Sequence, residues 1–212
     1  RLPILARLPQ GGRKRWLEAV PDQRSVFQGA DLPVDALERP DSEFARAIGM
    51  LHAKLGEFPL KAGAHSNRKV MIAALTPGAG ASLLSLNLAL ASARAGGAPL
   101  VVDLGRGGAT LTDTFVPDMM LGFDDVYEGK ASFVRTALQD EETGIFFLPR
   151  AHGRMLAPGM VDAAEVEKRF VAQIRRFDPV VIDAAAIGTD PLVAALGMHI
   201  DYVVLIGRPE DI

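Results

Sequence analysis

The 212-residue sequence contains no cysteine, which excludes disulfide bridges and thiolate metal centres and leaves a reducing compartment open. It has no run of about 18 apolar residues, so no segment is long enough to cross a membrane as a helix. Aromatic residues make up only 6% of a chain that is 49% hydrophobic. The core must therefore be built from Val, Ile, Leu and Ala, which suits an α/β domain better than an all-β one. A basic excess is missing too: the net charge of −3 leaves no positive field with which to hold nucleic acid. No signal-peptide pattern is legible, and the first residue is Arg1 rather than Met, so the sequence is expected to be part of something longer.

The charge that is present lies unevenly. Residues 1–70 hold 12 Lys and Arg against 8 Asp and Glu, whereas residues 71–212 hold 11 against 18, a mildly basic front and an acidic body. Residues 1–40 carry five prolines and the pair Gly11-Gly12 with no sustained period, and read as an irregular arm of juxtamembrane type. Within it, Leu2 to Pro9 could form a short edge strand bounded by prolines. Arg13-Lys14-Arg15-Trp16 sets three cations beside the only tryptophan; this composition suits a lipid-facing patch and equally a solvated loop with one ring tucked against the domain.

Residues 41–212 read as one α/β domain. Asp41 or Ser42 can cap a helix running to about Glu57, with Phe44, Ile48, Leu51 and Leu55 on one stripe. Strand and helix then alternate. Val70–Leu75 is an apolar strand, and Leu83–Ala95 is a helix apolar almost all round that stops at Gly96-Gly97. Further strands are expected at Leu100–Asp103, Ile145–Leu148, Val180–Asp183 and Tyr202–Ile206, with short helical pieces around Phe123–Tyr127 and Ser132–Leu138. Asp162 with Glu165 resembles a capping box opening a helix that reaches Phe177, and Asp190-Pro191 opens another. This order predicts a doubly wound, mostly parallel sheet with helices on both faces.

Three loops of such a sheet fall at the carboxyl ends of its strands, where ligands bind. The first, Thr76-Pro77-Gly78-Ala79-Gly80-Ala81-Ser82, joins a strand to a helix through small residues, as in loops whose backbone N–H groups cradle phosphate. The usual G-K-[ST] ending keeps its hydroxyl at Ser82, but Ala81 stands where the lysine belongs. The second loop follows Asp103 and contains Arg106; the third follows Asp183. An acid ending an apolar strand beside a phosphate loop commonly positions Mg²⁺ or its waters, although each Asp taken singly would more often be a turn residue.

The ordered set resembles the cytoplasmic domain of bacterial tyrosine kinases (BY-kinases), which regulate exopolysaccharide and capsule synthesis and export. Leu2 to Pro9 is similar to the segment that follows the family's last membrane helix, and Ser42 to Leu51 is like its E-A-F-R-x-L-R-T-N-L helix. Asn87 to Ala91, Gly122 to Gly129 and Phe147-Leu148-Pro149 match its N-L-A-x-x-A, G-L-x-D-V-L-x-G and V-L-P stretches. The resemblance implies a P-loop NTPase-like fold, with Mg-ATP or Mg-ADP as ligand or, given Ala81, an empty and partly closed loop. Gly78, Ala79, Gly80, Ala81, Ser82, Asp103, Arg106 and Asp183 would then lie around the nucleotide, and Ser82, Asp103 and Asp183 around Mg²⁺ if the nucleotide binds.

The departures all fall on the chemistry. The phosphate-loop lysine is Ala81, the second acid of the family's D-x-D-x-R is Gly105, and D-T-P-P keeps only Asp183. The tyrosine-rich tail is absent, leaving Tyr127 and a Tyr202 that opens a strand read as buried; Ile212 precedes the family's last helix and strand, so the domain is expected to be truncated. No catalytic residue is assigned. Lys69 lies at the wrong end of the sheet, so Arg106, then Arg150 and Arg154, are the cations that could replace the lysine. The preferred expectation is a pseudokinase-like interaction module at the cytoplasmic face of the bacterial inner membrane. It would dock on protein partners of a polysaccharide synthesis and export complex, or on its own copies, and regulate chain length. The alternative is an active Mg-ATP-dependent tyrosine autokinase of that pathway. A MinD/ParA-type ATPase ranks last, because residues 75–79 lack that group's additional lysine.

Overall fold

Ser42 opens the first helix, α1 (Glu43–Glu57), by accepting a hydrogen bond from Ala45 N at 3.0 Å, which satisfies one of the N–H groups that a helix start leaves bare. The structure is a computed structural model and describes residues 39–58, 67–106, 110–151, 156, 161–186, 190–208 and 211. The expectations for the 1–38 portion of the arm and for Arg154 lie outside the described residues. Phe44, Ile48, Leu51 and Leu55 are all buried, so the stripe seen in the sequence is the packing face, and it lies against α2 (Ala81–Arg94).

Among the described residues six strands form one sheet in the order β3-β4-β2-β5-β1-β6. They are β1 (Lys69–Ala74), β2 (Leu100–Asp103), β3 (Leu138–Gln139), β4 (Phe146–Leu148), β5 (Val180–Ala186) and β6 (Tyr202–Ile206). All pair in parallel except β3, which runs antiparallel to β4. Side chains alternate between two cores, as a strand's period of two demands. Val70, Ile72, Val101 and Val181 face α1 and α2, while Met71, Leu100, Val102, Val180 and Ile182 face the opposite layer. That layer contains α4 (Phe123–Tyr127), α5 (Phe133–Thr136), α6 (Ala163–Arg169) and α7 (Pro191–Gly197); the short α3 (Leu111–Phe115) buries Leu111 in the other core. The expected doubly wound fold is therefore the one found.

Three local expectations need correction. The helix from Asp162 ends at Arg169, and a 3-10 turn, Val171–Gln173, follows. Phe170, Val171, Ile174 and Phe177 are all buried, and Phe170 and Val171 are adjacent, so a single straight helical stripe cannot carry them. Asp162 does cap the helix through Ala164 N at 2.7 Å, but Glu165 pairs with Arg169 rather than closing a box. Second, residues read as the end of a helical piece form β3. A tight return behind it is held by Asp140, which accepts from Thr143 N at 2.9 Å and Thr143 Oγ1 at 2.6 Å. Third, β6 is an edge strand: Tyr202 is half-buried, and Val203 and Leu205 are 54% and 40% exposed.

The sheet order determines the site. β5 lies between β1 and β2, and its register sets Asp183 beside Asp103 and one strand from Ile72. The turns after β1, β2 and β5 thus meet at one edge. Lys69 lies at the other, buried and paired with Asp201 at 3.1 Å.

Candidate phosphate-binding site

The loop after β1 turns on two glycines at positive φ, Gly78 at 76° and Gly80 at 105°, a conformation that a Cβ would strain. Gly80 is the N-cap of α2 and offers no side chain, so the first-turn N–H groups of this 14-residue helix have no side-chain cap. Together with the helix dipole, these are the backbone elements of an anion cradle. Ala81, at the lysine position, is a buried methyl packed in the apolar core.

Asp103 and Asp183 are neighbours on adjacent strands and both are fully buried. Asp103 is held by its own protein: Oδ1 accepts from Gly105 N at 2.8 Å, and Oδ2 accepts from Thr112 N at 2.7 Å and Thr112 Oγ1 at 2.6 Å. Burial pushes its carboxyl above the usual range against the pull of those donors. Asp183 is differently placed. One oxygen accepts from Ala185 N at 2.9 Å, at a turn where Ala185 takes the left-handed conformation (φ 51°), and Oδ2 has no hydrogen-bond partner. Burial first, and then the adjacent Asp103 charge, push Asp183 up to about 7, with the Ser82 hydroxyl pulling the other way.

An unpartnered, fully buried carboxylate oxygen beside a hydroxyl has the chemistry to suit a cation, and a glycine turn opening a helix has that to suit a phosphate. The residues therefore fit Mg²⁺ carried with a nucleotide, at Ser82 and Asp183, with the nucleotide supplying the remaining oxygens. Among the described residues no group of three or more His, Asp or Glu side chains is arranged to hold a metal by itself.

Two of the expected replacement cations, Arg106 and Arg150, are engaged by carboxylates. Arg106 Nε lies 2.5 Å from Asp190 Oδ2, and Arg150 Nη1 lies 2.8 Å from the same oxygen and 2.8 Å from Leu104 O. Arg150 also reaches Asp124 Oδ2 through Nε at 3.2 Å, while its backbone N donates to Thr112 Oγ1 at 2.9 Å. A Cβ on Gly122 would lie 2.1 Å from Ala151 N, so only glycine lets α4 approach closely enough to set Asp124 on Arg150. Burial alone would raise the Asp190 carboxyl, but Arg106 and Arg150 hold it below the usual range. One network thus ties the turn after β2 to α3, α4, β4 and α7, and both guanidiniums are built into it.

A cation that the sequence reasoning missed lies on the loop. A Cβ built on Gly78 would be 3.4 Å from Arg208 Nη2, and Arg208 is exposed just beyond β6. Asp211 Oδ2 accepts from both Arg208 N at 2.8 Å and Thr76 Oγ1 at 2.9 Å, which clasps this segment to the start of the loop. The signal available was positional: parallel strands end at one edge, so an Arg following the last of them belongs to the same edge as the loop.

No family model matches the sequence. The succinoglycan biosynthesis transport protein ExoP of Rhizobium meliloti (strain 1021) is 29% identical over 180 residues, which cover 84% of this chain. The chain spans only 22% of the length of that protein. Its fold is shared with the kinase domain of the Escherichia coli tyrosine kinase ETK, with a TM-score of 0.65 at 20% identity over 82% of this chain and 68% of the other. It is shared more distantly with the septum site-determining protein MinD of Pyrococcus horikoshii OT3, described in complex with Mg-ADP, with a TM-score of 0.53 at 18% identity over 66% of this chain and 57% of the other. The chain is thus similar in sequence to a polysaccharide biosynthesis transport protein, and its mostly parallel sheet with the glycine turn after β1 is the fold of a bacterial tyrosine kinase domain.

Proposed function

We propose that this domain is a non-catalytic BY-kinase-type module of exopolysaccharide or capsule synthesis and export. It works at the cytoplasmic face of the inner membrane by docking on the proteins of that machinery, its own copies included, and so regulates chain length. The observation that carries this reading is the charge at the loop. Ala81 presents a buried methyl, and the expected substitutes Arg106 and Arg150 are held by Asp190 and Asp124. Phosphoryl transfer depends almost wholly on positioning and on charge that stabilises the transferring group, so a loop without its cation at the lysine position itself retains little rate.

The tyrosines support the same reading. Tyr127 is buried, and its hydroxyl accepts from Asp162 N at 2.9 Å; Tyr202 is half-buried with its ring centroid 5.7 Å from that of Phe58. Tyr127 is thus engaged by the fold rather than offered at the surface. The loop keeps a binding role in this reading: Gly78–Ser82 cradles phosphate, while Ser82 and Asp183 receive Mg²⁺ and Asp103 fixes the neighbouring turn. The test is the size distribution of the exported polysaccharide with and without this domain in the producing cell. A shifted distribution that the intact domain restores is expected; an unchanged one contradicts a role in chain-length regulation.

A further inference from the structure

Arg208 has no part in the network that holds Arg106 and Arg150. Its backbone is fixed from three sides: its N–H donates to Asp211, Asp211 is held in turn by Thr76, and Gly207 lies flat on Leu75, whose Cδ1 would be 2.7 Å from any Cβ there. The guanidinium extends from this clasp over Gly78, within 3.4 Å of where a side chain on that glycine would begin. The same loop holds two left-handed glycines and leads into the uncapped N-terminus of a 14-residue helix, whose first turn carries Ser82 beside Asp183, a buried carboxylate with one oxygen lacking a partner. The surroundings on one side call for an anion and on the other for a cation, the pattern that a metal-bound polyphosphate satisfies.

We propose that Arg208 supplies the positive charge that the loop lacks at Ala81, so that the loop binds a di- or triphosphate through a cation delivered from the end of β6. This rests on the reading of Thr76–Ser82 as a phosphate cradle and deepens it by naming the charged residue. A guanidinium on the tip of the loop adds charge-assisted hydrogen bonds to phosphate oxygens. It differs from a lysine inside the loop in approaching from another strand, over the tip of the turn.

The experiment is calorimetric titration of the native chain, Arg208→Gln, Arg208→Lys and Ala81→Lys with two probes, Mg-ADP and inorganic pyrophosphate. The melting temperature of each unliganded variant is measured first; Arg208 is exposed, so its variants are expected to melt with the native chain. The expected result is binding of both probes by the native chain, a loss of about tenfold or more in Arg208→Gln for both, and recovery of most of it in Arg208→Lys. Equal affinity in the native chain and Arg208→Gln overturns the proposal and leaves the cradle intact. A loss for Mg-ADP but not for pyrophosphate overturns it as well, because Arg208 would then be acting on the nucleoside. Binding by Ala81→Lys alone shows a working cradle that Arg208 does not serve. Binding by none of the four removes the cradle and the proposal together.

Discussion

Burial in the sheet, and then the neighbouring Asp103 carboxylate, make Asp183 costly to ionise. With its folded pKa raised to about 7, the native chain keeps a proton that the unfolded chain releases near the ordinary Asp value. Between those two values the folded state binds more protons than the unfolded, so the contribution of Asp183 to stability falls as pH rises through that window and levels off above about 7. Unfolding free energy measured from pH 4 to 8.5 should therefore decline more steeply for the native chain than for Asp183→Asn; parallel profiles would contradict the assignment. Arg150 makes the opposite kind of statement. It is buried against Asp124 and Asp190, and removing one member of such a group strands the others, so Arg150→Ala should cost about 3–5 kcal/mol in urea denaturation at pH 7. A loss below about 1 kcal/mol would mean that the carboxylates find other partners.

At the scale of elements, α1 tests how much a single cap and stripe contribute. Ser42→Ala should cost about 1 kcal/mol by leaving Ala45 N bare, and Ile48→Ala, which empties a fully buried position between α1 and α2, about 2–5 kcal/mol. Equal small losses from both would show that α1 is only loosely docked on the sheet. These features were legible because the pattern is local: the Phe44, Ile48, Leu51, Leu55 spacing states which face is buried, and the Val- and Ile-rich runs ending in Asp103 and Asp183 mark central strands. Illegible elements were those decided by distant partners. The stretch from Asp162 to Phe177 has a helical period, yet adjacent Phe170 and Val171 must both enter the core, so the helix breaks. Leu138-Gln139 is too short to signal a strand and becomes one only because β4 offers an edge. In the site, the glycine loop and the two acids could be read from their strands. The inward turn of Arg106 depends on Asp190 and the position of Arg208 on the clasp with Thr76, contacts between residues far apart in the chain.

Across the whole molecule, the fold gathers a glycine turn, a buried acid with one unpartnered oxygen and two carboxylate-bound arginines at one sheet edge, without a lysine in the loop. We predict that this edge binds phosphate but does not transfer it. The most direct measurement is incorporation of labelled γ-phosphate from Mg-ATP into the domain and into an added tyrosine peptide, with Asp183→Asn as the blank and Ala81→Lys alongside. The prediction is that the native domain incorporates no more label than the blank. Label above that level, at Tyr127, Tyr202 or the peptide, would contradict the account and make the domain a working kinase.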